Sequence, residues 1–168
     1  MTDLRQTFAR TDETIVAPGR LLLDGGPQRD MAVLLRAGRF ADVGQAAALC
    51  ARHPQARLVE LPDHLMMPGF IDTHTHLTQS LGKSLVFGEP SEIFRRIWVP
   101  LEGSLDEHMV YLSSKLAALE CLRGGFTTAI DAGTRSAGHI GKLALASREV
   151  GLRLVVAQIC NDLGGAAV

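Results

Sequence analysis

Two histidines one residue apart, His74 and His76, close the stretch Met67-Pro68-Gly69-Phe70-Ile71-Asp72-Thr73-His74-Thr75-His76. Pro68-Gly69 punctuates the chain, and Phe70-Ile71 are strand formers, so the stretch reads as a buried strand that ends on the histidines. Residues two apart in a strand share a face. Asp72, His74 and His76 therefore point the same way, with both imidazoles at the strand's C-terminal end. Two neutral imidazoles so placed can ligate one metal ion from a single rigid element. The competing reading is a pair of hydrogen-bonded core imidazoles. Asp72 lies one step deeper, where a buried carboxylate needs partners. It either orients a ligand from behind or makes a structural hydrogen bond.

The elements that must position this strand are legible on both sides of it. From Glu13 to Leu61, short β-like runs alternate with Gly/Pro punctuation: Thr14–Ala17 up to Pro18-Gly19, Arg20–Leu23, and Met31–Leu35 turning at Ala37-Gly38 into Arg39–Gly44. They suggest hairpins of a small sheet, with a short helix over Gln45–His53 and a further strand at Arg57–Leu61. After His76, Ser80–Gly103 is irregular, with a helical turn around Glu92–Trp98. Ser104 and Glu107 have capping-box spacing. Leu105, Met109, Leu112, Leu116, Leu119 and Leu122 then form an apolar stripe of helical period that Gly124-Gly125 stops. Phe126–Asp131 is a strand, Ser136 can cap a second helix that ends at Gly151, and Leu152–Ile159 is a third strand. Strand, helix, strand, helix, strand implies right-handed crossovers and a parallel sheet.

Composition bounds the partners. The 168 residues are 46% hydrophobic and 21% charged, with a formal net charge of −1, as expected of a globular domain. The near-neutral balance gives no reason to expect nucleic acid or an anionic membrane as partner. Met1–Asp12 lacks the apolar core of a secretion signal, and no apolar run approaches the roughly twenty residues of a membrane span. Cys50, Cys121 and Cys160 are odd in number and far apart, which suits reduced thiols in the cytoplasm.

Taken together, these residues resemble the amidohydrolase superfamily. The pieces that carry the resemblance are the Gly38–Gly44 hairpin, Met67-Pro68-Gly69-Phe70-Ile71-Asp72, His74-Thr75-His76, and Gly124-Gly125-Phe126-Thr127-Thr128 ahead of Asp131. Gln79 and Ile97-Trp98-Val99-Pro100-Leu101-Glu102 look like the branch of aminohydrolases and chlorohydrolases that act on purine, pyrimidine, pterin or triazine rings. The resemblance implies an α/β fold: the N-terminal part of a (β/α)8 TIM-type barrel, preceded by part of a small β-sandwich. The expected division is a sandwich portion over residues 1–66 and the first three barrel strands with their helices over 67–168. An average barrel unit takes roughly thirty residues, whereas about fifty separate His76 from Phe126. The excess falls where an insertion can act as a lid or substrate wall.

The resemblance also implies a divalent metal, zinc with iron as the alternative, held by His74 and His76 and by ligands from later strands that have no counterpart here. The deaminating members' proton-shuttling Glu also has no counterpart, so the catalytic acid/base is unknown from this sequence. Asp131 falls on the barrel face where active sites collect and is read as a loop cap or a support behind the metal ligands. Gln79 can read ring heteroatoms through an amide that both donates and accepts. Trp98 can stack on a planar ring or serve as a core aromatic. His53, His64, His108 and His139 are expected at the surface. The implied activity of the intact enzyme, expected as a homo-oligomer, is hydrolytic deamination of a small heterocycle by metal-activated water. Alternatives within the superfamily are cyclic-amide hydrolysis and dechlorination. From other classes come a catalytically incomplete fragment, whose open half-barrel would expose strand edges and apolar faces, and a small metal-binding module completed by a partner.

Overall fold

The computed structural model describes residues 13–88, 92–136 and 139–159. The polar N-terminal stretch to Asp12, Glu89-Pro90 and Cys160 lie outside the described residues. The chain divides into two compact units, one ending at Pro68 and one beginning at Gly69.

The first unit is a five-stranded sheet with one helix: β1 (Glu13–Leu23), β2 (Gly26–Gln28), β3 (Met31–Arg36), β4 (Arg39–Gln45), α1 (Ala46–Arg52) and β5 (Arg57–Met66). β1 is its spine. It pairs antiparallel with β3 through Glu13–Val16 and with β2 through Leu21–Leu23, and parallel with β5 along its other edge. The sequence suggests a break at Pro18-Gly19, yet the strand continues through it, with a register shift against β5 between Pro18 and Arg20. Pro18 falls in the gap between the β3 and β2 pairings, where that edge of β1 carries no ladder, and it is partnered only by Leu61 of β5. Gly19 lets β1 and β5 cross, since a Cβ there would lie 1.8 Å from the Pro62 carbonyl oxygen. Ala37 and Gly38 both have positive φ (49° and 72°), which makes the β3–β4 connection the two-residue hairpin expected from the sequence. Ile15, Ala32, Leu34 and Leu49 form the core between sheet and helix.

The second unit alternates strands and helices. β6 (Phe70–Thr75) is followed by a 3-10 segment (Leu77–Val86), a π turn (Phe94–Trp98), α2 (Val99–Ser104) and α3 (Glu107–Arg123). Then come β7 (Phe126–Asp131), α4 (Ile140–Val150) and β8 (Arg153–Val156). The three strands form a parallel sheet in the order β6-β7-β8, the arrangement a βαβαβ run dictates. Leu77, Leu105, Val110, Ala117 and Leu143 form its main core. Among the described residues β6 has no strand on its outer edge, so Phe70 and Ile71 are exposed where the sequence suggests a buried strand. Burial pushes the Cys121 thiol up from its ordinary value, which suits a structural rather than a reactive cysteine. No helix among the described residues is long and apolar enough to cross a membrane.

Three local expectations are corrected. Ser104 does not cap α3. Its hydroxyl donates to the Leu101 carbonyl (2.8 Å) because α2 occupies the preceding turn, and Asp106 is the cap, accepting from the Met109 amide (2.8 Å). Ser136 does not cap α4; it is drawn away to donate to the Glu102 carbonyl (2.5 Å), and His139 takes the N-cap position. The apolar stripe packs only at its two ends, where Leu105 is a core residue and Leu122 packs against a second cluster. Met109, Leu112, Leu116 and Leu119 are 37–44% exposed, while α3 buries Val110, Ser113, Ser114, Ala117 and Ala118. Small side chains admit the closest approach of neighbouring elements, and period alone cannot tell a small buried face from a large exposed one.

On the outer face of α3 and α4, Glu149 accepts from Lys115 Nζ (2.8 Å) and Tyr111 Oη (2.6 Å). These donors hold the Glu149 carboxyl below its usual range. A carboxyl with a depressed folded-state pKa adds stability at neutral pH and loses it as pH falls through that pKa. Urea unfolding measured between pH 7 and pH 3 should therefore show a smaller acid loss in Glu149→Gln than in the native chain. At fixed pH, Asp106→Ala should cost about 1 kcal/mol, the ordinary worth of an N-cap, and Ser104→Ala clearly less. The reverse order would restore the capping box.

Candidate metal centre at the end of β6

The end of β6 is fastened to the end of β7 by three contacts. The Ala132 amide donates to the Thr75 carbonyl (2.9 Å). Asp131, fully buried, accepts from the Leu77 amide through one oxygen (2.7 Å) and from the Gly133 amide through the other (2.8 Å). The third contact is made by His76 itself, whose Nδ1 lies 2.8 Å from the Gly133 carbonyl oxygen. A carbonyl only accepts, so in the neutral imidazole Nδ1 carries the proton and Nε2 is left with its lone pair. This tautomer leaves Nε2 free to ligate a metal, set by a partner behind the ring.

His74 stands beside it. The two rings are edge to face, with centroids 5.4 Å apart and planes at 76°. A register irregularity falls between Asp72 and Thr75, and Asp72 Oδ1 accepts from the His74 amide there (3.1 Å). Bulges of this kind re-aim side chains next to functional sites. The structure thus brings His74 and His76 together and places Asp72 and Asp131 against backbone amides on either side of them. Burial raises the Asp131 carboxyl above its ordinary value, and the two amides pull it back only in part.

Gly133 is the constraint on this arrangement. Its φ is +101°, and a Cβ would lie 2.7 Å from Ile159 Cγ1 and 3.1 Å from the Ala157 carbonyl oxygen. No other residue places that carbonyl under His76 without strain.

The donor set fits a divalent cation of the zinc type: two imidazoles side by side, one with its tautomer fixed. No group of three or more His, Cys, Asp or Glu side chains able to hold a metal occurs among the described residues.

The other residues singled out in the sequence lie around this centre or away from it. Gln79 sits in the turn that follows His76, its amide donating to the His76 carbonyl (3.1 Å), and its side-chain Nε2 donates to Glu102 Oε1 (3.2 Å). Trp98 is half-buried and lies over Gly82, where an added Cβ would come within 3.2 Å of its ring. His108 lines an outer cleft of about 310 Å³ with Glu107, Tyr111 and Glu149. His53 approaches Glu13 (3.4 Å) and His64 is exposed on β5.

Sequence reasoning assigned no role to Glu102, Arg135 or Thr78. Glu102 is fully buried in α2 and accepts from Thr78, Gln79 and Arg135. The available signal was an acid set in an apolar run, Trp98-Val99-Pro100-Leu101-Glu102, since an acid so placed must find partners.

With this geometry in view, the comparisons with known proteins define the class. The model of the amidohydrolase family matches residues 65–164. A bacterial imidazolonepropionase-like composite domain matches residues 32–56. The chain belongs to the amidohydrolase family.

Among its relatives is a 5-methylthioadenosine/S-adenosylhomocysteine deaminase of Syntrophobacter fumaroxidans, 32% identical, with 92% of this chain and 35% of the relative covered. A 5'-deoxyadenosine deaminase of Methanothermobacter thermautotrophicus is 29% identical, with 91% and 34% covered. The chain thus spans about a third of the length of these relatives. Similar folds occur in a zinc-bound adenosine deaminase of Xanthomonas campestris (TM-score 0.72, 24% identity, 84% of this chain and 33% of that one). The guanine deaminase of E. coli is similar as well (TM-score 0.73, 20% identity, 93% and 38%). These likenesses establish the start of a (β/α)8 barrel as the architecture of the second unit.

A partner behind a metal-bound histidine is worth about 10–100-fold in metal affinity. Gly133→Ala, which displaces that partner, should therefore weaken Co²⁺ or Zn²⁺ binding by about this factor while leaving both histidines in place. Titration calorimetry on the native protein and the variant checks it, and equal affinities would remove Gly133 from the site.

Proposed function

We propose that this chain is the N-terminal part of a metal-dependent aminohydrolase that removes an amino group from a purine, pyrimidine, pterin or triazine-like ring by hydrolysis. The observation that carries the reading is the His74–His76 pair at the C-terminal end of β6, with the His76 tautomer set by Gly133. Family membership and the deaminase names of the relatives support it.

In this reading His74 and His76 hold the metal, zinc rather than iron, the ion named for one similar structure. A metal bound there supplies an acidified water near neutral pH. The chain's own residues do the positioning. Asp131 and Asp72 fix the backbone that carries the two imidazoles, Gln79 meets the edge of the substrate ring, and Trp98 belongs to the wall that the segment after His76 builds. The proton-shuttling acid and the remaining ligands are supplied from outside the described residues. Free thiols at Cys50 and Cys121 suit a reducing compartment such as the cytoplasm.

The test is the intact mass of the native protein with metal analysis on the same sample, followed by ammonia release from 5-methylthioadenosine, S-adenosylhomocysteine, 5'-deoxyadenosine and guanine. The expected result is a polypeptide well beyond 168 residues with about one metal per subunit and release from at least one substrate. His76→Ala should abolish both metal and activity. A native product that ends at Val168 without stoichiometric metal would instead favour a non-catalytic fragment.

A further inference from the structure

Glu102 is a buried acid that the proposed chemistry does not use. It joins the loops that follow β6 and β7, the two strands whose ends carry and support the histidines. One carboxylate oxygen accepts from Thr78 Oγ1 (3.1 Å) and Gln79 Nε2 (3.2 Å). The other accepts from the Arg135 backbone amide (3.2 Å) and guanidinium (2.9 Å). Its main-chain carbonyl accepts from Ser136 Oγ (2.5 Å). The guanidinium also stacks over the Phe94 ring at 4.2 Å, so its planar fork is committed on two sides.

These contacts fix a polarity. A carboxylate only accepts, so Gln79 can meet it only through its NH₂ group. The Gln79 oxygen is thereby turned away from Glu102. We propose that Glu102 is a positioning residue that locks Gln79 with its oxygen toward the ligand, so that this place in the site accepts a hydrogen bond and offers none. The inference rests on the role proposed above for Gln79 and deepens it: the favoured ligand edge carries an N–H or O–H donor.

Glu102→Gln gives the idea a sharp consequence. The Arg135 groups are donors only and must keep the new side chain's oxygen. The new NH₂ group then faces Thr78 and Gln79, and Gln79 must turn over to offer its oxygen inward and its own NH₂ to the ligand.

The experiment measures guanine and adenine dissociation constants, whose ring N1 positions are a donor and an acceptor respectively, on the full-length metal-loaded protein. Glu102→Gln should shift their ratio toward adenine by about tenfold or more, the worth of one hydrogen bond. The shift should vanish when Gln79→Met is already present. An unchanged ratio, or the same shift in the Gln79→Met background, overturns the proposal. A second readout needs no ligand. In the wild-type protein the Gln79 side-chain NH₂ signal, assigned by its loss in Gln79→Met, should exchange slowly with solvent and become fast in Glu102→Gln. Fast exchange in the wild type overturns the locked amide even if no substrate is ever found. Slow exchange in a protein that deaminates nothing would sink the enzyme reading alone.

Discussion

The bond between the His76 imidazole and the Gly133 carbonyl is the contact on which the site depends. It exists because β6 and β7 run parallel and end together, so that the residue after one strand meets the loop after the other. Asp131 enforces that coincidence from beneath by dividing its two oxygens between the Leu77 and Gly133 amides. A buried carboxylate is costly in isolation, and two backbone donors offset part of that cost. Parallel pairing by itself would leave these amides unmatched at the strand ends. The acid converts them into the fastening that aims a histidine.

The packing around the fastening is built from small residues. Ser113, Ser114, Ala117 and Ala118 let α3 approach its neighbours closely, and the Ser113 hydroxyl reaches the Thr78 carbonyl (2.8 Å) in the 3-10 segment that leaves His76. The same segment is held on its other side by Glu102. The start of the wall after the histidines is thus held from two sides, by Ser113 and by Glu102, where its secondary structure is 3-10 rather than α. Short 3-10 turns are frequent as connectors between regular elements.

Much of this was legible in the residues. The strand–helix alternation, the hairpin at Ala37-Gly38 and the meeting of two histidines at the end of one strand follow from periodicity and turn chemistry, which are local. What escaped was decided by tertiary competition. Ser104 and Asp106 are both good caps, and only the presence of α2 determines which one is free to act. Ser136 has capping chemistry, but the Glu102 carbonyl claims its hydroxyl. The leucines of α3 have the right period for a core, while the buried face is drawn in alanine and serine, which carry little hydrophobic signal. Glu102 and Arg135 lie 33 positions apart in the chain, a separation across which no local pattern operates.

The burial of Glu102 has a consequence for how this region can drift. Loss of the acid alone would strand the Arg135 guanidinium, only 16% exposed in its side chain, without its counter-charge, and breaking such a pair from one side costs about 3–5 kcal/mol. Loss of Arg135 alone would leave the opposite charge buried, held by neutral donors only. Positions 102 and 135 are therefore energetically coupled, and position 79 is tied to them through the Gln79 side-chain amide on Glu102. The three positions thus behave as one coupled unit, in which a replacement at any one changes what the other two can pair with.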